Sequence, residues 1–446
     1  MKSWIKKTLL VFSSTCVGVG IIVLPFLFFL KPANDFVFGN FNSYISEEVR
    51  KELTDQHNIK WQYYGSNAQI PTFIQNKTLD IAIATNNTIG KLIDEKLLKP
   101  IPWEKFEIKK ENGTIVQSYL DLKDIVTPAV WNVCEIIAQS INGVDNILEY
   151  TVPYFMQNFV FTYRGKKIQE LSENSSFKEI FNHISKDPSF TSKLGNVMMI
   201  EDARSVYDVS RLMNEEADIN PIEGVDTTIA KINNSFDNIS NYYLEQKNQL
   251  TFNADSSVVL NKIALNQSKG AFMYNGDAIY AALGGDNLPT NPNLPNFENE
   301  PDFHTIVPTN TFYALDGIVI NKDISENKLN KAVDIIKDLC LSGLSAGEDI
   351  SEFDNSIDDY KYMSARNFNF VNYTPCYTKL YDYTIDPTEN GYFSEQEIEN
   401  QNELNILINL IKINANTISS KNIELPRSDE FNSNLNIAFT TFKNKL

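Results

Sequence analysis

Residues 271–283, AFMYNGDAIYAAL, contain a strand, a polar turn and the start of a helix in thirteen positions. The first three are apolar, and Tyr274-Asn275-Gly276-Asp277 carries the Asn-Gly turn signal. Such junctions present ligand groups in α/β proteins. The ring of Tyr274 and the carboxylate of Asp277 suit an organic cation, because the ring attracts the charge and the carboxylate accepts its hydrogen bonds. The alternative is a packed ring and a helix cap.

Strand and helix patterns alternate through the first hundred residues. Strand patterns cover residues 37–38, 59–63 and 79–85, and helix patterns follow each of them, beginning near Ser46, Ser66 and Thr88. This β-α-β-α-β-α order predicts a parallel α/β domain. Further along the chain, residues 305–321 predict two strand segments around a turn at Leu315-Asp316-Gly317.

The N-terminus has the pattern of a membrane anchor. Lys2, Lys6 and Lys7 precede residues 8–30, which carry no charge and are long enough to span a bilayer. The lysines predict a cytoplasmic N-terminus, with everything after the anchor outside the cell. We therefore expect an uncleaved, single-pass anchor in the cell membrane. Lipidation at Cys16 is the alternative, although Ser13-Ser14-Thr15 and the apolar residues that follow depart from the usual lipoprotein pattern.

Composition excludes several classes of function. The chain has 446 residues and a net charge of −18, so nucleic acid is not an expected partner, whereas a cationic ligand is attracted. A soluble protein without such a ligand has the same charge pattern. The cysteines and histidines share no metal-ligand spacing, so we expect no metal, no other cofactor and no disulfide framework. The sequence lacks G-x-S-x-G, P-loop and H-E-x-x-H motifs, and we expect no enzyme activity.

Seven short blocks follow one another in a particular order. They are Asn40-Phe41-Asn42-Ser43-Tyr44, residues 79–87, Val152-Pro153-Tyr154, Glu201-Asp202-Ala203-Arg204, Tyr274-Asn275-Gly276-Asp277, residues 312–316 and Tyr373-Thr374-Pro375. Together the blocks resemble the spermidine/putrescine-binding proteins of bacterial ABC importers. Ser43 and Ser205 stand where that family has acids, and Phe41 stands where it has a tryptophan.

The resemblance implies a two-domain, periplasmic-binding-protein-like α/β fold with a ligand cleft between the domains, and the transmembrane helix predicted from residues 8–30 precedes it. Residues 1–33 form the cytoplasmic stub and anchor. Domain I comprises residues 34–150 and 312–376, and domain II comprises residues 151–311 and 377–446. The implied protein is an extracellular, monomeric solute-binding component that closes on a polyamine and delivers it to a membrane permease with its ATPase.

The implied cleft combines carboxylates for the ammonium groups with aromatic walls for the methylene chain. Its residues are Phe41, Asn42, Ser43, Tyr44, Thr85, Asn87, Asp202, Tyr274, Asp277, Tyr313, Asp316 and Tyr373. The serines at 43 and 205, together with Asp277, favour putrescine over spermidine. Two alternatives stay open. The same fold can bind another solute, such as a metal ion or a sugar, or it can serve an anchored adhesin or sensor.

Overall fold

The computed structural model describes residues 35–172, 175–191, 196–214, 218–243, 250–283, 303–393 and 401–446. The predicted anchor, residues 8–30, and Cys16 lie outside these ranges. Within them, no helix is both long enough and apolar enough to cross a bilayer.

The first half of the chain forms a parallel α/β unit, as the sequence predicted. Strands β1 (Phe36–Phe41), β2 (Ile59–Tyr64) and β3 (Ile81–Thr85) lie in the order β2-β1-β3, and both pairings are parallel. Strands β1 and β3 are almost entirely buried, as expected when helices cover both faces of a sheet. The connecting helices are Glu47–His57, Ile70–Gln75 and Asn86–Asp94.

Strand β4 (Thr151–Arg164) continues the sheet from the first half of the fold into the second. Its first part, residues 151–158, pairs antiparallel with β9 (Tyr313–Ile320), which also pairs with β3. Its second part, residues 159–163, pairs antiparallel with β7 (Gly270–Tyr274). All fourteen residues of β4 are buried.

The predicted turn at Leu315-Asp316-Gly317 is wrong, because β9 runs through these residues without interruption. Gly317 serves a close approach between strands instead. A Cβ atom at this position would lie 2.2 Å from Thr151 Oγ1 on β4. The glycine is therefore needed for the close packing of β9 against β4, and it does not mark a reversal of the chain.

The second half of the sheet continues in the order β4-β7-β5-β6, with β5 (Val197–Ile200) parallel to both β7 and β6 (Leu250–Asn253). Strand β8 (Phe303–Ile306) pairs with β4. The helices that the structure describes here are Phe177–Ile184, Pro188–Thr191, Ala203–Leu212, Ile229–Tyr243, Ser256–Ala264 and Asn275–Ala282.

The predicted turn at residues 274–277 is also wrong, because β7 passes directly into the helix Asn275–Ala282. The side chain of Asn275 is used for tertiary contacts. Its Nδ2 donates to Thr374 Oγ1 at 3.0 Å and to the Leu410 carbonyl at 2.9 Å, and its Oδ1 accepts from the Asn158 amide at 3.2 Å. Because these partners are distant in sequence, the Asn-Gly pair by itself predicts a local turn that the structure does not form.

Two apolar clusters hold the fold together, one around β1, β3 and β9 and the other around the second part of β4. The helix Gln401–Ile411 packs in the first cluster, and the C-terminal helix Asp429–Lys443 packs in the second.

The domain boundaries stay a prediction. Cys134, Cys340 and Cys376 are buried free thiols. Apart from short 3₁₀ turns, the remaining elements in the described ranges are Pro128–Ala138, Glu326–Ile336, Lys337–Leu341, Phe353–Asp354, Asp359–Tyr360, Met363–Val371, Thr374–Pro375 and Thr378–Ile385.

Candidate functional site

Asp316 lies where β9 passes β3 and β4, and it is 4% exposed. Its Oδ1 accepts a hydrogen bond from Thr85 Oγ1 at 2.6 Å. Its Oδ2 accepts from the Tyr44 hydroxyl at 2.6 Å and from Gln157 Nε2 at 2.5 Å. Three uncharged donors therefore hold the carboxylate in place.

The electrostatics of Asp316 favour a cation beside it. Burial raises the pKa of this carboxyl group above its ordinary value, although the hydrogen bonds from Thr85 and Tyr44 act in the opposite direction. In the described part of the chain, no lysine or arginine forms an ion pair with Asp316. A bound cation would stabilise the ionised form.

Asp277, on the helix Asn275–Ala282, is a second buried carboxylate, and one of its oxygens is unsatisfied. Oδ1 accepts from the Tyr373 hydroxyl at 3.0 Å, whereas Oδ2 has no hydrogen-bond partner among the described residues. Burial raises the pKa of Asp277 to about 7, against the lowering effect of the Tyr373 hydrogen bond. A buried, half-ionised carboxylate with a free oxygen is a typical feature of a binding site.

Two tyrosine rings connect these carboxylates. The rings of Tyr44 and Tyr373 meet edge to face with their centroids 5.6 Å apart, and each hydroxyl donates to a different aspartate. Gly276 makes room for this arrangement, because a Cβ atom there would lie 2.1 Å from the Tyr373 ring. The site thus has an acid at each side of an aromatic pair.

Tyr274, Ser205 and Asp202 form a hydrogen-bonded chain beside this pair. Ser205 Oγ lies 2.8 Å from the Tyr274 hydroxyl and 2.8 Å from Asp202 Oδ1. Asp202 Oδ1 also accepts from the Ser205 amide at 2.8 Å and so caps the helix Ala203–Leu212. Burial, followed by the carboxylates of Asp202 and Glu424, raises the pKa of Tyr274 well above its ordinary value.

The other residues that the sequence suggested have different surroundings. Asn42 and Ser43 are exposed in the turn after β1, and Ser43 has a φ of 56°. Phe41 is half-buried and packs against the Tyr64 ring with centroids 4.9 Å apart.

Two more of the suggested residues form hydrogen bonds with other parts of the chain. The Tyr313 hydroxyl pairs with Thr417 Oγ1 at 2.7 Å, and Asn87 Nδ2 donates to Glu424 Oε2 at 2.6 Å.

The structure adds two residues that the sequence did not suggest. Gln157 donates to both Asp316 and Tyr44, and the signal for it was a polar side chain in an otherwise aromatic, buried strand. Glu424 is buried and faces the same group of acids. It belongs to no recognisable motif, so no sequence signal could have identified it.

The fold is similar to that of several solved periplasmic binding proteins. A Listeria monocytogenes protein described as a spermidine/putrescine ABC transporter is 16% identical with a TM-score of 0.55, over 92% of this chain and 99% of that one. For the TpPotD lipoprotein of Treponema pallidum the values are 11%, 0.53, 92% and 99%. For UgpB of Mycobacterium tuberculosis, solved with glycerophosphocholine, they are 11%, 0.54, 93% and 98%.

These similarities confirm the predicted fold class, a two-domain α/β fold of the periplasmic-binding-protein type. Identities of 16% or less carry the fold and nothing finer. Residues 5–406 match the family described as hypothetical lipoprotein (MG045 family), and the chain belongs to that family. The sequence matches none of the curated proteins with which it was compared.

Proposed function

We propose that this protein is the solute-binding component of an ABC importer for a polyamine, with putrescine as the expected ligand. One observation carries the proposal: Asp316 and Asp277 are buried on either side of the Tyr44–Tyr373 ring pair, and Asp277 Oδ2 has no partner among the described residues. The protein closes on the ligand and delivers it to a permease with its ATPase. No bond is made or broken in this role.

The chemistry of a diamine matches this arrangement. Each buried carboxylate is destabilised by several kcal/mol when it has no partner, and an ammonium group at each end of the ligand supplies one. The apolar methylenes then lie along the tyrosine rings. A desolvated cation–π contact adds roughly 1–2 kcal/mol. Two separated acids therefore select a ligand with two separated positive charges.

The comparisons support this choice of ligand without being specific to it. Two of the structural neighbours are named for spermidine/putrescine transport or as PotD, and a third was solved with glycerophosphocholine. Another small solute, such as a metal ion or a sugar, or an adhesin or sensor role, is the alternative that experiment must separate.

We also propose that the N-terminal segment attaches the protein to the membrane, with the binding domains outside the cell. Either a helix over residues 8–30 or a lipid on Cys16 provides the attachment. The family description as a lipoprotein favours the lipid. Incorporation of a labelled fatty acid into the wild type, but not into Cys16→Ser, would identify the lipid. Equal absence of label from both would favour the helix.

Calorimetric titration of the full chain in detergent tests the ligand. We expect one-to-one binding of putrescine, and affinities at least tenfold lower in Asp277→Asn and in Asp316→Asn, because each loses a buried charge pair. Glu111→Gln changes the net charge equally at an exposed position and should bind as the wild type does. Spermidine and spermine rank the polyamines, and glucose, glutamate and glycerophosphocholine test other solutes.

The outcomes separate the candidate functions. Heat with glycerophosphocholine or glucose, and none with any polyamine, would move the ligand to another class within the same fold. No heat with any solute would overturn the polyamine assignment and favour the adhesin or sensor role. Binding that neither aspartate variant weakens would show that the ligand lies elsewhere.

A further inference from the structure

Glu424 lies in a segment that runs between the two halves of the fold. Asn220 Nδ2 donates to the carbonyls of Ser420 and Ile423, at 2.7 and 2.8 Å, and the Tyr313 amide donates to the Asn422 carbonyl at 2.9 Å. These contacts fix the backbone before Glu424, and the Leu425 amide, which donates to Asn220 Oδ1 at 3.0 Å, fixes it after. They leave its side chain 4% exposed and directed into the interior.

The helix Asn86–Asp94 holds Glu424 from one side. Asn86 Nδ2 donates to the Glu424 carbonyl, and Asn87 Nδ2 donates to its Oε2, both at 2.6 Å. Because each donor is an uncharged amide, the Glu424 carboxylate receives a hydrogen bond from this helix but no compensating positive charge.

The helix Ala203–Leu212 presents a second carboxyl group from the other side. Asp208 is fully buried, and its Oδ1 accepts from Arg204 Nε at 2.9 Å. The carboxyl groups of Asp208 and Glu424 are in hydrogen-bond contact with each other, and no other donor in the described ranges reaches Asp208 Oδ2. A carboxylate has no hydrogen to donate, so a hydrogen bond between these two carboxyl groups requires one proton that they share.

Apart from Arg204 and Arg427, the groups around the Glu424–Asp208 pair are acidic or uncharged. Burial is the largest cause raising the pKa of both Asp208 and Glu424 above their ordinary values, and Arg204 acts against it. The carboxylates that face Glu424 besides Asp208 are those of Asp202 and Asp316. Tyr274 faces it from β7, and Arg427 lies near Arg204 and Asp208. Glu424 therefore shares the electrostatic environment of the candidate site.

We propose that Glu424 is a third ligand-binding carboxylate of the site, and that a ligand ammonium group displaces the proton that Glu424 shares with Asp208. This inference rests on the proposed function, because it requires a cationic ligand. The proton is released to the solvent, and the ammonium takes its place as the hydrogen-bond donor to Glu424. Asp208 remains paired with Arg204 and acts as a positioning residue.

Proton counting during putrescine titration tests the exchange. Heats measured at pH 6.5 in two buffers of different ionisation enthalpy give the number of protons released per ligand. The wild type should release more protons than Asp208→Asn, in which an amide donates to Glu424 and no proton is shared. Asp208→Asn should keep wild-type affinity or exceed it. Glu424→Gln should lower the affinity at least tenfold and release fewer protons.

These readouts distinguish ligand binding from a structural role. Protons released by Asp277 are common to the wild type and both variants, so the difference between them belongs to the Glu424–Asp208 pair. Equal proton counts in the wild type and Asp208→Asn would overturn the inference even if Glu424→Gln failed to fold. Wild-type affinity in Glu424→Gln would overturn it and leave the proposed function standing. Failure of the wild type to bind any polyamine would overturn both.

Discussion

The hydroxyl of Tyr44 donates a 2.6 Å hydrogen bond to Asp316 Oδ2, although 272 positions separate the two residues in sequence. Burial, and then the charge of Asp316, raise the pKa of Tyr44 well above its ordinary value, so the hydroxyl keeps its proton and remains a donor. The same hydroxyl accepts from Gln157 Nε2 at 2.8 Å. Tyr44 therefore orients the carboxylate while its ring faces Tyr373.

Substitutions at Tyr44 should separate the hydroxyl from the ring. Tyr44→Phe leaves the ring and removes one of three donors to Asp316, so we expect putrescine affinity to fall less than tenfold. The free energy of unfolding should fall by about 1–2 kcal/mol. Tyr44→Ala also removes the aromatic wall, and its affinity should fall at least tenfold further. Calorimetry and urea unfolding measure the two effects.

Tyr63→Phe is the control, because it removes a phenol hydroxyl from a tyrosine on the exposed part of β2, and it should leave affinity unchanged. Equal affinities of Tyr44→Phe and Tyr44→Ala would contradict a role for the ring in holding the ligand.

Gly276→Ala should disturb the site without changing its charge. The added methyl group would lie 2.1 Å from the Tyr373 ring, so the ring must move away from Asp277. Overpacking of this kind costs about 1–3 kcal/mol of unfolding free energy. We expect putrescine affinity to fall as well, because the Tyr373–Asp277 hydrogen bond positions the carboxylate. Thermal unfolding and calorimetry provide the measurements.

Gly65→Ala is a matched control, since among the described residues no atom beyond its chain neighbours lies within 4 Å of the added methyl group. It should leave both stability and affinity at wild-type values. A Gly276→Ala variant that behaved in the same way would mean that Tyr373 does not need its observed position.

The sequence predicted the parallel α/β unit because its signals are local. An alternation of apolar strands with helices over residues 36–97 requires only the pattern of each segment. The strand that ends in Thr85 and the pairing of Thr85 with Asp316 are different in kind. The strand can be predicted from the apolar pattern of its own residues. The pairing depends on where β9, far along the chain, joins the sheet.

The two wrong turns have the same explanation. Asn275, Gly276 and Gly317 carry turn residue types, yet each is used for contact with a distant partner, namely Thr374, Tyr373 and Thr151. Glu424 was missed for a related reason, since its partners Asn87 and Asp208 are 337 and 216 positions away. A short motif indicates such a long-range contact only when a known protein family already associates the motif with that contact.

Asp277 should make stability depend on pH in the direction opposite to a salt-bridged acid. Its pKa is about 7 in the folded chain, against an ordinary value of 3.8, so the folded state binds a proton that the unfolded state has lost. This contribution to stability is complete below about pH 4 and is lost as the pH rises to about 7. The loss is about 1.4 kcal/mol per pH unit in that window.

Urea unfolding at pH 5.0 and 6.5 measures the effect. The wild type should lose about 2 kcal/mol more than Asp277→Asn over this interval, because the variant has no group to titrate at this position. Glu111→Gln, at an exposed site, should follow the wild type. Parallel pH profiles of the wild type and Asp277→Asn would show that Asp277 is ionised throughout.

The same group should make ligand affinity rise with pH. An ammonium group binds the ionised form of Asp277, which is about a tenth of the population at pH 6 and about nine-tenths at pH 8. Primary amines, with a pKa near 10, stay charged over this range. Putrescine affinity of the wild type should therefore increase at least about tenfold from pH 6 to pH 8 and change little above pH 8.

Asp277→Asn should lack this tenfold component and keep only the smaller change that the Glu424–Asp208 pair contributes. Glu111→Gln should retain the full wild-type profile, which shows that the net charge of the protein is not responsible. A wild-type affinity that stayed constant from pH 6 to pH 8 would mean that no acid in the site gains charge on binding. The ligand ammonium would then lie away from Asp277 Oδ2, the oxygen that has no other partner in the described structure.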